Sequence, residues 1–128
     1  MTAAAKDLLH VLGYLYLRYG QHRRALALIQ LAAAAAPDDP GVMKSLALAL
    51  IMNNEADDAL EVIRKVEAGR LAPAPELRLL ESRALLLKGE TAAARRCFRR
   101  FVDQRKDIGD DDSLGVAARA AAPVGEPR

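Results

Sequence analysis

Apolar positions along the chain fall into six runs of helical length, separated by short polar, glycine or proline breaks. The first run, LLHVLGYLYLRYGQ from Leu8 to Gln21, is apolar enough for a buried helix. It is nevertheless interrupted by Gly13, where glycine costs a helix interior about 1 kcal/mol relative to alanine. Tyr14, Tyr16 and Tyr19 crowd the same stretch, although the whole chain is only 4% aromatic. The runs predict helices over 4–18, 22–36, 41–52, 56–68, 75–88 and 91–106. Gly20-Gln21, Asn53-Asn54 and Gly89-Glu90 join them in pairs, with residue types that tolerate left-handed backbone angles. PDDP at 37–40 and LAPAP at 71–75 separate the pairs, and Pro40 and Pro75 suit first-turn positions, where a missing N–H costs nothing. Glu55, Asp57 and Thr91 suit caps or first-turn acids.

The breaks recur in register. Gly20, Asn54 and Gly89 are separated by 34 and 35 residues, and Ala25, Ala59 and Ala94 follow each of them by five. Ile29, Ile63 and Phe98 come four later, then Ala32, Val66 and Phe101 three later still. A period of 34 with these offsets is that of the tetratricopeptide repeat, a helix–turn–helix unit. The first copy reads Leu9-x2-Leu12-Gly13-x2-Tyr16, then Ala25-x3-Ile29, then Pro37. Gly13 is then small because a neighbouring helix must approach it, and Tyr16 fills the space beside it. A generic amphipathic helix explains one such copy but not three in register. The third copy departs from the pattern, with Glu81 and Ser82 where the first has Leu12 and Gly13, as terminal repeats do. The expected fold is all-α: three tetratricopeptide repeats (about 6–39, 40–74 and 75–106) forming a short right-handed solenoid with a concave groove.

Composition agrees with one helical domain. The chain has 128 residues and is 52% hydrophobic, rich in alanine and leucine and without tryptophan. No apolar run reaches the roughly 18 residues of a membrane span. The N-terminal stretch lacks a basic segment before its apolar part and reads as mature protein. The single cysteine, Cys97, excludes an internal disulfide and suits a reducing cytosol. Residues 1–106 carry 17 basic and 12 acidic residues, net +5, whereas 107–128 carry two and five, net −3, which together make the overall +2. The acidic segment from Asp107 has glycines, prolines and no aromatic ring, a composition that predicts a mostly disordered tail. The alternative for its SLGVAARAAA stretch is a transient or partner-induced helix.

Candidate chemistry is sparse. His10, His22 and Cys97 are too few, and too scattered, for a tetrahedral metal site. Cys97 lies between Arg96 and Phe98 with no histidine at helical spacing to act as its base, so it reads as a packed or half-exposed thiol. Nucleophile-elbow, phosphate-loop and dinucleotide fingerprints are all missing, and no catalytic residue or cofactor is expected. Arg95, Arg96, Arg99 and Arg100, with Arg105 and Lys106, make a basic cluster, but Phe98 and Phe101 hold the repeat's packing positions instead of interleaving as exposed rings on which bases could stack. So few phosphate contacts do not sustain tight nucleic-acid binding at physiological salt. A solvated face, or one that meets an acidic partner or the chain's own tail, fits better.

In tetratricopeptide proteins the first helix of each repeat lines the concave face. Those positions are Asp7, His10, Tyr14 and Leu17; then Gly41, Lys44, Leu48 and Ile51; then Glu76, Leu79, Arg83 and Leu86. Tyr14, Leu17, Leu48, Ile51, Leu79 and Leu86 are large and apolar, and none is expected to pack one repeat on the next. With His10, Lys44 and Arg83 they form the expected partner-binding strip, apolar with a charged rim. The chain's own N-terminus or a twin subunit is the alternative occupant.

The stretches LLHVLGYLYLRYGQHRRALALIQLAAAAAPDDP and LRLLESRALLLKGETAAARRCFRRFVDQRKD resemble the small tetratricopeptide chaperones of bacterial type III secretion, most closely the YscY-like group. The resemblance covers roughly residues 8–107 and not the tail. It implies a chaperone of the bacterial cytoplasm that pairs as a heterodimer with a small secreted YscX-like protein and docks it on the cytosolic domain of the export gate. It implies no nucleic acid, no membrane insertion and no cofactor. Translocator chaperones are similar in fold, but usually carry an N-terminal extension not seen here, which favours the first group. A general tetratricopeptide scaffold is the remaining alternative.

Overall fold

A computed structural model describes residues 2–69 and 74–108. Its helices are α1 (Ala3–Arg18), α2 (His22–Ala35), α3 (Pro40–Met52), α4 (Ala56–Ala68), α5 (Pro75–Leu87) and α6 (Thr91–Ile108), with no strand among the described residues. The chain is all-α, and each helix ends within two residues of the boundary that the hydrophobic pattern predicts. α6 carries two residues into the acidic segment expected to begin at Asp107. The expected disorder of the remaining tail, and the first part of LAPAP, lie outside the described residues.

Local chemistry explains where the helices begin. Pro40 and Pro75 occupy the first turns of α3 and α5, as their missing N–H groups favour. Thr2 caps α1, its hydroxyl accepting from the Ala5 N–H at 3.1 Å. Asp39 caps α3, accepting from the N–H groups of Gly41 at 2.9 Å and Val42 at 3.3 Å. Glu55 holds the cap position of α4 without a side-chain bond, and Thr91 lies inside α6 as its first residue.

The three turns inside the pairs are alike bond for bond. Gly20, Asn54 and Gly89 have φ of 80°, 62° and 85°, the left-handed region. In each turn the next residue sends its N–H back around the end of the helix: Gln21 to the Tyr16 carbonyl at 2.8 Å, Glu55 to Leu50 at 2.9 Å and Glu90 to Leu85 at 2.9 Å. That residue's own carbonyl then accepts the first bond of the following helix, from Ala25, Ala59 and Ala94. This is the six-to-one closure of a helix C-terminus, and it needs the left-handed residue at its corner. Asn54, the one non-glycine, belongs to a residue type enriched in that region.

Each helix packs on the next, and the odd-numbered helices also meet: α3 packs on both α1 and α2, α5 on both α3 and α4. Ala25, Ala59 and Ala94 are all buried where the paired helices cross. Ala25 and Ile29 of α2 lie with Leu17 of α1 and Ala49 of α3, while Ala59 and Ile63 of α4 lie with Ile51 of α3 and Leu77 and Ala84 of α5. Gly13 permits the first crossing, since a Cβ there would stand 2.6 Å from Ile29 Cγ1 and 3.4 Å from the Ala25 carbonyl oxygen. The positions 34 and 69 residues on are again small and buried, Ala47 and Ser82. Polar ties supplement the apolar ones. Asn53 Nδ2 donates to the carbonyls of Ala49 at 2.7 Å and His22 at 2.9 Å, tying the end of α3 to the start of α2. Arg78 of α5, almost fully buried, pairs with Glu67 of α4 and Glu81 one turn on.

A charge cannot be accommodated at a crossing without moving a helix, so Ala59→Glu should lower stability by about 3 kcal/mol or more and yield largely insoluble or molten protein. Wild-type melting by far-ultraviolet circular dichroism would refute that placement. A milder test concerns Asp39. The Lys6 ammonium at 3.0 Å, with the Val42 and Gly41 N–H groups, holds its carboxyl below the usual range. Its contribution is therefore present above the unfolded value near 3.8 and is lost as pH falls through the lower folded one. Asp39→Asn should destabilise the fold at pH 7, and the gap from wild type should close below pH 4 in thermal melts.

Candidate functional site

The nine residues expected to form one strip do not lie on one open surface. Leu17 and Ile51 are each only 7% exposed and belong to the packing between helices, which corrects the expectation that they face an occupant. The cause is that α3 packs over Leu17 near the end of α1, and α5 over Ile51 near the end of α3. Leu48 is half-buried against the same cluster as Leu17, so it too helps to pack α3 on its neighbours. Leu79 is half-buried, and Tyr14, Arg83 and Leu86 are exposed.

Polar groups tie the odd-numbered helices together along this side. His10 Nε2 and the Ser45 hydroxyl are hydrogen-bonded at 2.7 Å, joining α1 to α3. Lys44 Nζ donates to Glu76 Oε1 at 2.7 Å, joining α3 to α5, and Arg83 Nη2 lies 3.8 Å from Met52 Sδ. His10 and Lys44 thus hold helices in register. Around His10 and Ser45, the side chains of Val11, Tyr14 and Leu15 form an open apolar pocket of about 360 Å³. A second and larger recess, about 700 Å³, lies between α5 and α6 and takes in Leu79, Arg83 and Leu86 together with Ala94, Phe98 and Val102.

Sequence reasoning missed the outer face of α1. Leu8, Val11, Leu12 and Leu15 are exposed there at helical spacing, and Tyr19 follows just beyond the helix end. Leu9, Gly13, Tyr16 and Leu17 turn inward. The signal was available, because a helix that is apolar all round but packs on one side only must leave the other side bare. Phe98 is the second miss. Expected at a packing position, it is 47% exposed, its ring 5.6 Å from that of Phe101. No described helix follows α6 to cover it.

Cys97 is 1% exposed. Burial pushes its thiol up, the nearby Glu81 carboxylate does the same, and the Arg100 guanidinium, donating to Sγ at 3.2 Å, acts the other way. A thiol held protonated inside a helix pair has the character of a packing group. Among the described residues no cluster of His, Cys, Asp or Glu is placed to hold a metal ion, and no helix is long and apolar enough to cross a membrane. No family model and no curated protein matches the chain.

Cys97 gives a direct check on this packing. A thiol reagent at pH 8 should react about 100-fold or more slower with native protein than with protein in denaturant, because access requires local opening. Since the folded thiol titrates above the unfolded one, stability should hold below about pH 8.5 and fall at more alkaline pH. Fast native labelling would place Cys97 on the surface.

Proposed function

We propose that this chain is a tetratricopeptide protein-binding module: residues 1–106 form three repeats stacked in a short right-handed solenoid, and the module holds an amphipathic segment of a partner protein. The single observation that carries this reading is the bare apolar face of α1, where Leu8, Val11, Leu12 and Leu15 continue through Tyr14 into the pocket beside Ser45. A contiguous apolar surface of this kind is a common mark of a protein contact. The recurring turns, the small residues at the helix crossings and the 34-residue period support the repeat assignment. The net charge of +5 on residues 1–106 favours a partner segment with an acidic rim. The resemblance to YscY-like chaperones makes the reading more specific. The partner is then a small secreted YscX-like protein, held as a heterodimer in the bacterial cytoplasm and brought to the cytosolic domain of the export gate.

The test is co-expression pulldown with mass spectrometry, repeated with two variants. Val11→Asp removes an apolar contact worth roughly 1.5–3 kcal/mol when buried and adds a desolvation cost, so partner binding should weaken about 100-fold or more. Its own melting temperature should hardly change, because Val11 faces away from the core. Arg99→Glu on α6 is the control and should bind normally. The reverse result, with Arg99→Glu defective and Val11→Asp intact, would move the contact to the basic face.

A further inference from the structure

Three register-equivalent grooves end differently. Leu17, Ile51 and Leu86 occupy one repeat position, as do Ile29, Ile63 and Phe98. In the first two copies these residues are 7%, 7%, 0% and 1% exposed, because α3 lies over α1 and α2, and α5 over α3 and α4. In the third copy Leu86 is 59% and Phe98 47% exposed, and both border the recess between α5 and α6. A terminal repeat that meets water carries a polar outer face. This one keeps Leu79, Leu86, Phe98 and Val102, the kind of surface that the next helix covers in the two earlier copies.

We propose that residues 113–122 of this same chain, SLGVAARAAA, lie as a short helix in the α5–α6 recess. The chain leaves α6 at Ile108, six residues and about 9 Å of helix beyond Val102, the last residue of α6 that lines the recess. Residues 109–112 then give a connection of four, and the connections before α3 and α5 span 36–39 and 69–74, four and six residues. Ser113 is a favoured cap residue, and Pro123 stops the segment after ten residues. The nine residues after that cap, 114–122, span about 14 Å as a helix, the length of α6 from Val102 back to Ala93. Leu114, Ala117, Ala118 and Ala121 fall on one face at helical spacing. The three small alanines complement the large side chains of the recess, much as Ala49 and Ala84 of the covering helices meet Ile29 and Ile63, and Leu114 adds one larger apolar group.

Charge is complementary as well. Asp110, Asp111 and Asp112 precede this segment, where acidic residues suit a helix N-terminus. Arg95 and Arg99 border the recess, and neither makes an ion pair among the described residues. α6 has 18 residues against 14 and 13 in α2 and α4, so the fit rests on face, length and charge, not on a continued 34-residue count. Composition points to disorder for this tail taken alone. An exposed apolar recess within its reach supplies the burial that the tail lacks by itself.

The experiment uses the full-length chain. Ala118→Asp and Leu114→Asp should each lower the melting temperature by about 5 °C or more and raise binding of an apolar dye. Arg119→Ala, off the apolar face, should do neither. Combined with Phe98→Asp, Ala118→Asp should have little further effect, since the two substitutions remove one contact. Wild-type melting and dye binding in both tail variants would overturn the proposal and leave the recess to a partner. A dimer in size-exclusion chromatography that Phe98→Asp disperses and Leu114→Asp does not would also overturn it, assigning the recess to a second copy. Partner binding through Val11 is read separately, so either conclusion can fail without the other.

Discussion

The contact between Gly13 and Ile29 is the constraint on which the first hairpin, and the helix stacked on it, depends. With no Cβ at Gly13, α1 comes close enough to α2 for the buried Ile29 side chain to fill the space that any larger residue would need. Ala25 sits buried at the same crossing, so the two backbones approach on small residues from both sides. That approach brings Leu17 and Ile29 together as the floor on which α3 then packs through Ala49. A glycine that weakens α1 by about 1 kcal/mol as an isolated helix is retained because dense interior packing leaves no room for a methyl group. Ala47 and Ser82 repeat the solution with slightly larger residues, and the buried Arg78, paired with Glu67 and Glu81, adds an ionic tie where α4 meets α5.

Stacking of this kind divides the surface in a particular way. Helix faces that receive a neighbour hold the buried clusters, and most of the exposed large apolar residues among those described lie on the outer side of α1 and about the recess between α5 and α6. The middle of the row is crossed by the His10–Ser45 and Lys44–Glu76 bonds, which set how the odd-numbered helices sit against one another. The two ends suit different occupants. The α1 face is a long stripe of Leu8, Val11, Leu12 and Leu15 on the outer side of the first described helix. The α5–α6 recess has the rest of the chain directly after it. In the proposed arrangement, a partner covers one end and the tail the other.

Much of this was legible in the residues. Helix limits are local: Pro40 and Pro75 start helices wherever they stand in such a pattern, and Gly20, Asn54 and Gly89 close them through left-handed corners. The buried role of Ala25, Ala59 and Ala94 was legible too, because small residues at one repeat position mean close helix approach in every copy. The capping bonds of Thr2 and Asp39 were less so, since an acid or hydroxyl before a helix looks alike whether or not its side chain turns back to the N–H groups.

The candidate surface was read less well, and the reason is physical. Leu17, Ile51 and Leu86 share a register position and a residue class, so nothing local separates them, yet two are buried and one is open. Whether such a leucine or isoleucine meets water depends on a helix some thirty residues further along and on how it crosses. The same holds for Ile63 and Phe98, and for the two sides of α1, where inward and outward residues are equally apolar. By itself the sequence determined the helices, their turns and the small residues at their crossings, because these follow from backbone preferences and a short-range period. Only the tertiary structure decided which apolar residues are core and which are surface, because burial is a property of the neighbour and not of the residue.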